Sequence, residues 1–235
     1  MSGFARIANG REKWSAGGSV QRHRHDQAYA AIVLSGGYEE SGSRGRFRVR
    51  PGDVLLHRPF DAHLNRFDGN GAQILNIVLV DPPPFALGHL TDPDAVVRMA
   101  ERDPVAASLQ LGEQLRETGR AAEDWPDILG ADLMEQPNTR LEVWARRHGL
   151  SPETVSRGFR KLFGQTPAAF RSEVRAQRAF ALFVGSAMTL AGIAAHAGFA
   201  DQAHMTRATK ALTGAPPRFW RLKSIPFKKG RSRFA

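Results

Sequence analysis

The feature that most restricts what this chain can fold into is an internal repeat in its last hundred residues. Leu141, Ala145 and Gly149 recur as Leu190, Ala194 and Gly198, an offset of 49. After one inserted residue the offset becomes 50 and holds. Ser156 and Arg157 answer to Thr206 and Arg207, Arg160 to Lys210, Leu162 to Leu212, and Gly164 to Gly214. Pro167, Phe170 and Arg171 answer to Pro217, Trp220 and Arg221. Chemically matched residues in constant register indicate a duplicated structural unit. Each copy reads as a short amphipathic helix, Leu141 to His148 or Leu190 to Ala197, stopped by a glycine where a left-handed backbone is favoured. A tight turn follows, anchored by Leu150 or Phe199. Ser151 with Pro152, and Asp201 in the second copy, then open another helix as N-caps, and that helix ends at Gly164 or Gly214. Helix, short turn, helix is the helix-turn-helix plan, whose second helix can enter a DNA major groove. Val155, Phe159 and Leu162 share its inward face in the first copy. Pro167 opens a linking helix with Phe170, Val174 and Ala181 on one side.

Charge points the same way. The 235 residues include 33 Lys+Arg and 23 Asp+Glu, a formal net charge of +10. Residues 1–130 carry 15 basic against 17 acidic side chains, a net −2, and residues 131–235 carry 18 against 6, a net +12. A near-neutral part joined to a strongly basic part predicts two domains, the second facing a polyanion, although a charge excess alone equally fits a solvated basic surface. There is no Cys. That removes disulfides, zinc fingers, thiol nucleophiles and iron–sulfur ligation, and it fits a reducing compartment. No apolar run reaches the ~18 residues of a membrane span, and MSGFARIANGREKW lacks the apolar stretch of a secretory signal. The expected location is the cytoplasm.

The first part has strand texture, then helix texture. Ala30 to Leu34 is a short apolar run closed by Gly36–Gly37, which predicts a buried strand and a turn. Phe47 and Val49 alternate with Arg46, Arg48 and Arg50, the period of a strand with one wet face. Pro51-Gly52-Asp53 is a turn, Val54 to Leu56 a further strand, and Ile74 to Val80 the strongest one, stopped by Pro82-Pro83-Pro84. Asp103–Pro104 starts a helix. The stretch from Asp94 to Gly119 offers Val97, Val105, Leu109 and Leu115 as an apolar stripe for a dimer contact or for packing on the chain's own sheet.

The repeat also carries a resemblance. Residues 150–171, LSPETVSRGFRKLFGQTPAAFR, and 190–221, LAGIAAHAGFADQAHMTRATKALTGAPPRFWR, resemble the DNA-binding domain of AraC-type transcriptional regulators over about 100 residues. The second copy holds that family's signature in Gly198–Phe199, Arg207, Lys210, Gly214, Pro217 and Arg221. The resemblance implies an all-α seven-helix domain, residues 125–224, whose two recognition helices enter successive major grooves on one face of DNA, about 34–36 Å apart. Carried over by position, base contacts fall to Glu153, Ser156 and Arg157, and to Gln202, His204, Thr206 and Arg207. Either arginine can make a bidentate contact with guanine, and Gln202 suits adenine. Arg160, Lys161 and Lys210 are placed for phosphate. The chain departs from the pattern at Thr209, where an aromatic residue is usual and the first copy has Phe159, and at Met205. A basic tail, residues 225–235, follows and adds Lys228, Lys229, Arg231 and Arg233.

Residues 1–85 resemble the sensor part of the same family, a small cupin-like β-barrel, with residues 86–124 as helical linker. His23-Arg24-His25, the turn at Pro51-Gly52-Asp53, and His63 sit where cupin metal motifs fall. His23, His25 and His63 match the ligand pattern, while the carboxylate position falls near Gln27 or Tyr29. Neutral imidazoles suit Zn, Ni, Cu or Fe. Tyr29, His57 and Arg58 are expected to line an effector pocket. The fold class expected is therefore α+β in two domains: barrel, linker helices, and a double helix-turn-helix domain. The expected function is ligand-responsive regulation of transcription, not catalysis. Its partners are double-stranded DNA, an effector of unspecified chemistry, a second copy of the chain as homodimer, and RNA polymerase. The rival is a metal-dependent cupin enzyme with a helical appendage, which would need neither the duplicated unit nor the basic charge. A DNA-repair methyltransferase is excluded because its chemistry needs a thiolate.

Overall fold

The computed structural model describes residues 4–119 and 124–229, the last six as backbone only. The tail side chains named above therefore lie outside the described residues, although a helix runs through Lys229. Among the described residues no helix is long and apolar enough to cross a membrane.

The strands are β1 (Gly10–Trp14), β2 (Ser19–Arg24), β3 (Tyr29–Gly42), β4 (Gly45–Val49), β5 (Asp53–His57), β6 (Ala62–Val78), β7 (Leu87–Leu90) and β8 (Leu115–Glu117). They form one antiparallel sheet in the order β1-β6-β3-β5-β7-β8, with β2 also on β6 and β4 also on β3. The hydrogen-bonded path is open, so the closed barrel expected from the motifs becomes a sheet with free ends at β1 and β8. The long strands β3 and β6 pair along three stretches with bulges between, at Val33/Ser35 and Gly36/Tyr38. Gly36 lies inside β3 and closes no turn there. Its φ is +71°, and a Cβ on it would sit 1.9 Å from the Gly71 carbonyl oxygen. Only glycine fits where two strands approach so closely, and the bulges bend the sheet.

Alternation then sorts two cores. Ala30, Ile32, Val54, Leu56 and Ile77 face α1 (Pro93–Ala100) and α2 (Pro104–Gln114), meeting Val96, Val97, Ala107 and Leu111. Tyr29, Ala31, Val33, Tyr38, Phe47 and Phe67 form the other core. Both faces of β3 are buried, which is why its sequence reads as an unbroken apolar run.

Several boundaries differ from expectation. β6 ends at Val78, and Val80 beyond it is 90 % exposed. β1 and most of β2 gave no sequence signal, because their residues are largely polar and none is fully buried. The supposed stripe divides: Val97 and Leu115 pack into the sheet core, Leu115 from β8, while Val105 and Leu109 on α2 are 68 % and 72 % exposed. Arg46 does not share the wet face of Arg48. It is buried, and its guanidinium donates to both carboxylate oxygens of Asp127 at 2.8 Å and to Asp124 at 2.9 Å.

The helices α3 (Trp125–Glu135), α4 (Leu141–Arg147), α5 (Pro152–Phe163), α6 (Pro167–Gly185), α7 (Leu190–His196), α8 (Gln202–Thr213) and α9 (Pro217–Lys229) follow. The duplication is visible in the backbone bonds. Leu150 N–H donates to the Ala145 carbonyl at 2.9 Å and Gly149 N–H to Arg146 at 3.2 Å; forty-nine residues on, Phe199 donates to Ala194 at 2.9 Å and Gly198 to Ala195 at 3.1 Å. Gly149 and Gly198 both adopt the left-handed conformation that this helix ending needs. In α6 the buried positions include the expected Phe170 and Val174 together with Ala179 and Phe183, and Ala181 is exposed. The chain forms two compact units, residues 4–128 with 157–164, and residues 129–156 with 165–229.

Candidate nucleic-acid interface and effector cavity

The N-termini of α5 and α8 are held by side-chain caps at equivalent positions. Ser151 Oγ accepts from the Thr154 N–H at 3.2 Å, and the Asp201 carboxylate accepts from the His204 N–H at 2.6 Å. On α5, Val155, Phe159 and Phe163 are buried, with Leu162 half-buried, while Glu153, Ser156, Arg157, Arg160 and Lys161 are exposed. On α8, Met205, Thr209 and Leu212 are buried and Gln202, Arg207 and Lys210 are exposed. The other two expected base contacts are already engaged. The His204 ring meets Phe199 edge-on at 5.2 Å, and the Thr206 hydroxyl donates to the Gln202 carbonyl at 2.8 Å.

Within the first unit the end of α5 is capped from the sheet. Arg66 donates to the carbonyls of Lys161 at 2.6 Å and Leu162 at 3.4 Å, and Arg22 donates to that of Phe163 at 3.2 Å. Guanidinium groups at a helix C-terminus satisfy its orphan carbonyls and oppose its negative dipole end.

The sheet also carries an open-mouthed cavity of about 370 Å³, lined among others by Arg6, His23, His25, Tyr29, Glu40 and His63. His23 and His63 are direct cross-strand partners on β2 and β6. The three histidines of the motif converge, with ring centroids 4.3 Å apart for His23–His63 and 4.9 Å for His23–His25. His23 Nδ1 lies 2.8 Å from the Gln21 carbonyl and His25 Nδ1 2.7 Å from that of Ala5. A carbonyl only accepts, so both Nδ1 atoms carry the proton and both Nε2 lone pairs remain for another group. His57 lies behind Tyr29, the rings stacked at 4.3 Å, and Arg58 is exposed, donating to the Pro84 carbonyl at 2.9 Å. Tyr29 alone of the expected pocket residues lines the cavity itself.

Burial sets the protonation of this wall. It holds His25 below the usual imidazole value, His63 well below it, and His57 at about 3, with neighbouring imidazoles adding to the shift. It raises the Glu40 carboxyl well above its ordinary range, with Asp61 adding to the shift. Burial thus disfavours the charged forms of His25, His57, His63 and Glu40 alike.

A helix-turn-helix domain model matches residues 144–223. That interval begins inside the first repeat unit and spans all of the second. Residues 144–223 are a helix-turn-helix domain. Among solved structures, an AraC-type regulator from Chromobacterium violaceum is 22 % identical, covering 37 % of this chain and 78 % of its own, at a TM-score of 0.35. The DNA-binding domain of AdpA in complex with a target DNA is 22 % identical, covering 48 % of this chain and 100 % of its own, at 0.41. ToxT from Vibrio cholerae, with an unsaturated fatty acid bound, covers 92 % of this chain and 97 % of its own at 9 % identity and 0.39. No curated protein matches. With all these scores below 0.5, the assignment rests on the domain match and on the repeated caps.

Sequence reasoning missed Glu40 as a cavity residue. Its carboxylate comes from β3, well away from the histidine motif, and no local spacing links the two. It also missed the α5-capping pair Arg22 and Arg66, since each reaches about a hundred residues or more along the chain.

Proposed function

We propose that the chain is a sequence-specific DNA-binding regulator of transcription whose N-terminal sheet unit holds a small-molecule effector. The observation that carries this reading is the duplicated helix-turn-helix, with matching caps and with exposed Arg157 and Arg207 on its two second helices. One chain then brings two reading heads, which suits a site of two unlike segments about one helical turn apart. Phosphate contacts from Arg160, Lys161 and Lys210 position the helices, and Arg157, Gln202 and Arg207 read base edges.

Strand alternation supplies the link to an effector. His23 and His63 face the cavity, while their neighbours Arg22 and Leu64 contact the end of α5 at Phe163 and Gly164. A ligand that shifts β2 and β6 therefore shifts the last turn of a reading helix. His23 and His25 present Nε2 acceptors to the effector's donor groups, or to a Zn, Ni, Cu or Fe ion completed by His63. The active form is a homodimer, paired through exposed Val105 and Leu109 on α2, and it acts in the cytoplasm beside RNA polymerase. Footprinting of genomic fragments with the purified chain tests the core of this reading. Protection of a shared two-part sequence is the expected result, and binding without sequence preference overturns it.

A further inference from the structure

We infer that Glu40, His57 and His63 form a site for one divalent transition-metal ion, set in the wall of the cavity and distinct from the His23–His25–His63 set. The ion site stands on its own geometry, and only its regulatory meaning rests on the effector reading above. Glu40 comes from β3, His57 from β5 and His63 from β6, and β3 pairs with both other strands. One donor atom from each lies within 4.8 Å of the others. Glu40 Oε2 and His57 Nε2 are 3.6 Å apart, longer than a hydrogen bond and close to the ~3.4 Å between ligands of a tetrahedral ion with bonds of about 2.1 Å.

Two orphaned atoms strengthen the assignment. His57 Nε2 and His63 Nδ1 are buried without any hydrogen-bond partner among the described residues. Buried polar atoms are almost always satisfied, and an ion shared by these nitrogens would satisfy them together. The surroundings fit ligand support. Tyr29 stacks on His57 and fixes its ring, and its hydroxyl is 3.3 Å from His63 Nε2. The Asn65 amide, with its nitrogen turned inward, donates to Glu40 Oε2 at 3.3 Å. Arg44, whose charge reaches His57, faces the Asp61 carboxylate at 4.0 Å.

Charge separates this site from the three-histidine set. A buried dication needs a negative ligand, and Glu40 provides one while His23, His25 and His63 provide none. Two imidazoles and one carboxylate suit zinc, iron(II), nickel or cobalt, not calcium or magnesium. Both sets use His63, so an ion on Glu40, His57 and His63 leaves His23 and His25 to the effector.

The test uses the full chain, stripped with a chelator and titrated with zinc chloride. Calorimetry gives stoichiometry, and thermal melting gives an independent readout. The wild type should take up one zinc per chain and melt higher. His57→Gln and Glu40→Gln should each lose at least about tenfold in affinity, while a His23→Ala/His25→Ala double variant keeps it within about threefold. Circular dichroism of each metal-free variant confirms that it folds, and two separate substitutions in the site guard against one that does not. Loss of zinc in the double variant with retention in His57→Gln would overturn the proposal, as would no uptake by the wild type. DNA footprints of the metal-free protein distinguish the two readings. A footprint without zinc uptake removes the ion site alone, and zinc uptake without a footprint removes the regulator reading alone.

Discussion

Thr209 buries a hydroxyl where its counterpart fifty residues earlier, Phe159, buries a ring, and both are fully enclosed. The hydroxyl finds no partner among the described residues. Thr209→Val keeps the volume and removes the orphan, so unfolding stability should rise by about 1 kcal/mol, read from the urea midpoint. A lower midpoint would mean that the hydroxyl is bonded after all. Exposed Arg157 and Lys161 separate two kinds of contact. Arg157→Ala should cost about 1–3 kcal/mol on the cognate site and relax preference at one base pair, whereas Lys161→Ala should weaken all sequences alike and flatten the salt slope by about one unit. Binding titrations on cognate and scrambled DNA distinguish them. His57 carries a pH signature in the chelated protein. Its folded value of about 3 lies below the ~6.5 of an unfolded imidazole, so the unfolded chain binds the extra proton. Stability is therefore full above about pH 6.5 and is lost as pH falls toward 3. His57→Phe should make that acid limb of the melting temperature shallower, and an unchanged slope would mean that His57 is protonated in the folded state.

Between elements, two arginine contacts matter most. Arg46 on β4 holds the start of α3 through Asp127, both nearly inaccessible to solvent. Removing one member leaves the other charge buried, so Arg46→Met should destabilise the fold by about 3–5 kcal/mol. Pairing it with Asp127→Leu should recover most of that loss, and additive losses in the double variant would rule out coupling between the two residues. Arg22 and Arg66 cap carbonyls 161–163 of α5. Substituting both with Ala should speed amide exchange in the last turn of α5 while leaving the matching turn of α8 as it was. Equal exchange in both proteins would show that the sheet does not hold that helix.

For the whole molecule, the basic excess lies in residues 131–235, where DNA binding is proposed, and the sheet region is nearly neutral. On the proposed reading, long-range attraction to DNA belongs to one part of the chain and ligand recognition uses buried groups in the other. Assembly is read from α2, where Val105 and Leu109 are four residues apart and exposed. Leu109→Glu should convert a sedimenting dimer to monomer at micromolar concentration. A wild-type chain that sediments only as monomer, with and without DNA, would remove the dimer.

The helical part was legible in the sequence because its information is local. A glycine ending, an N-cap and a 3.6-residue period each lie within a few residues, and the repeat reported each of them twice, at 149 and 198 or 151 and 201. The inward faces of the second helices followed from the same period, whereas the base contacts came from the family resemblance. The sheet part was legible only in outline. Alternation marked β4 and the apolar runs marked β3, β5 and β6, but strand pairing is made between residues tens of positions apart. Hence Gly36 read as a turn when it sits at a close crossing with Gly71, and the expected barrel stays open. Arg46 read as solvated until α3 covered it. The three motif histidines came from the cupin resemblance, whereas Glu40 and His57 joined His63 only because β3 pairs with both β5 and β6. Local periodicity determined which residues of α5 and α8 are exposed and which are buried. Non-local strand register decided which side chains meet in the cavity, because contacts across a sheet leave no trace in neighbouring sequence.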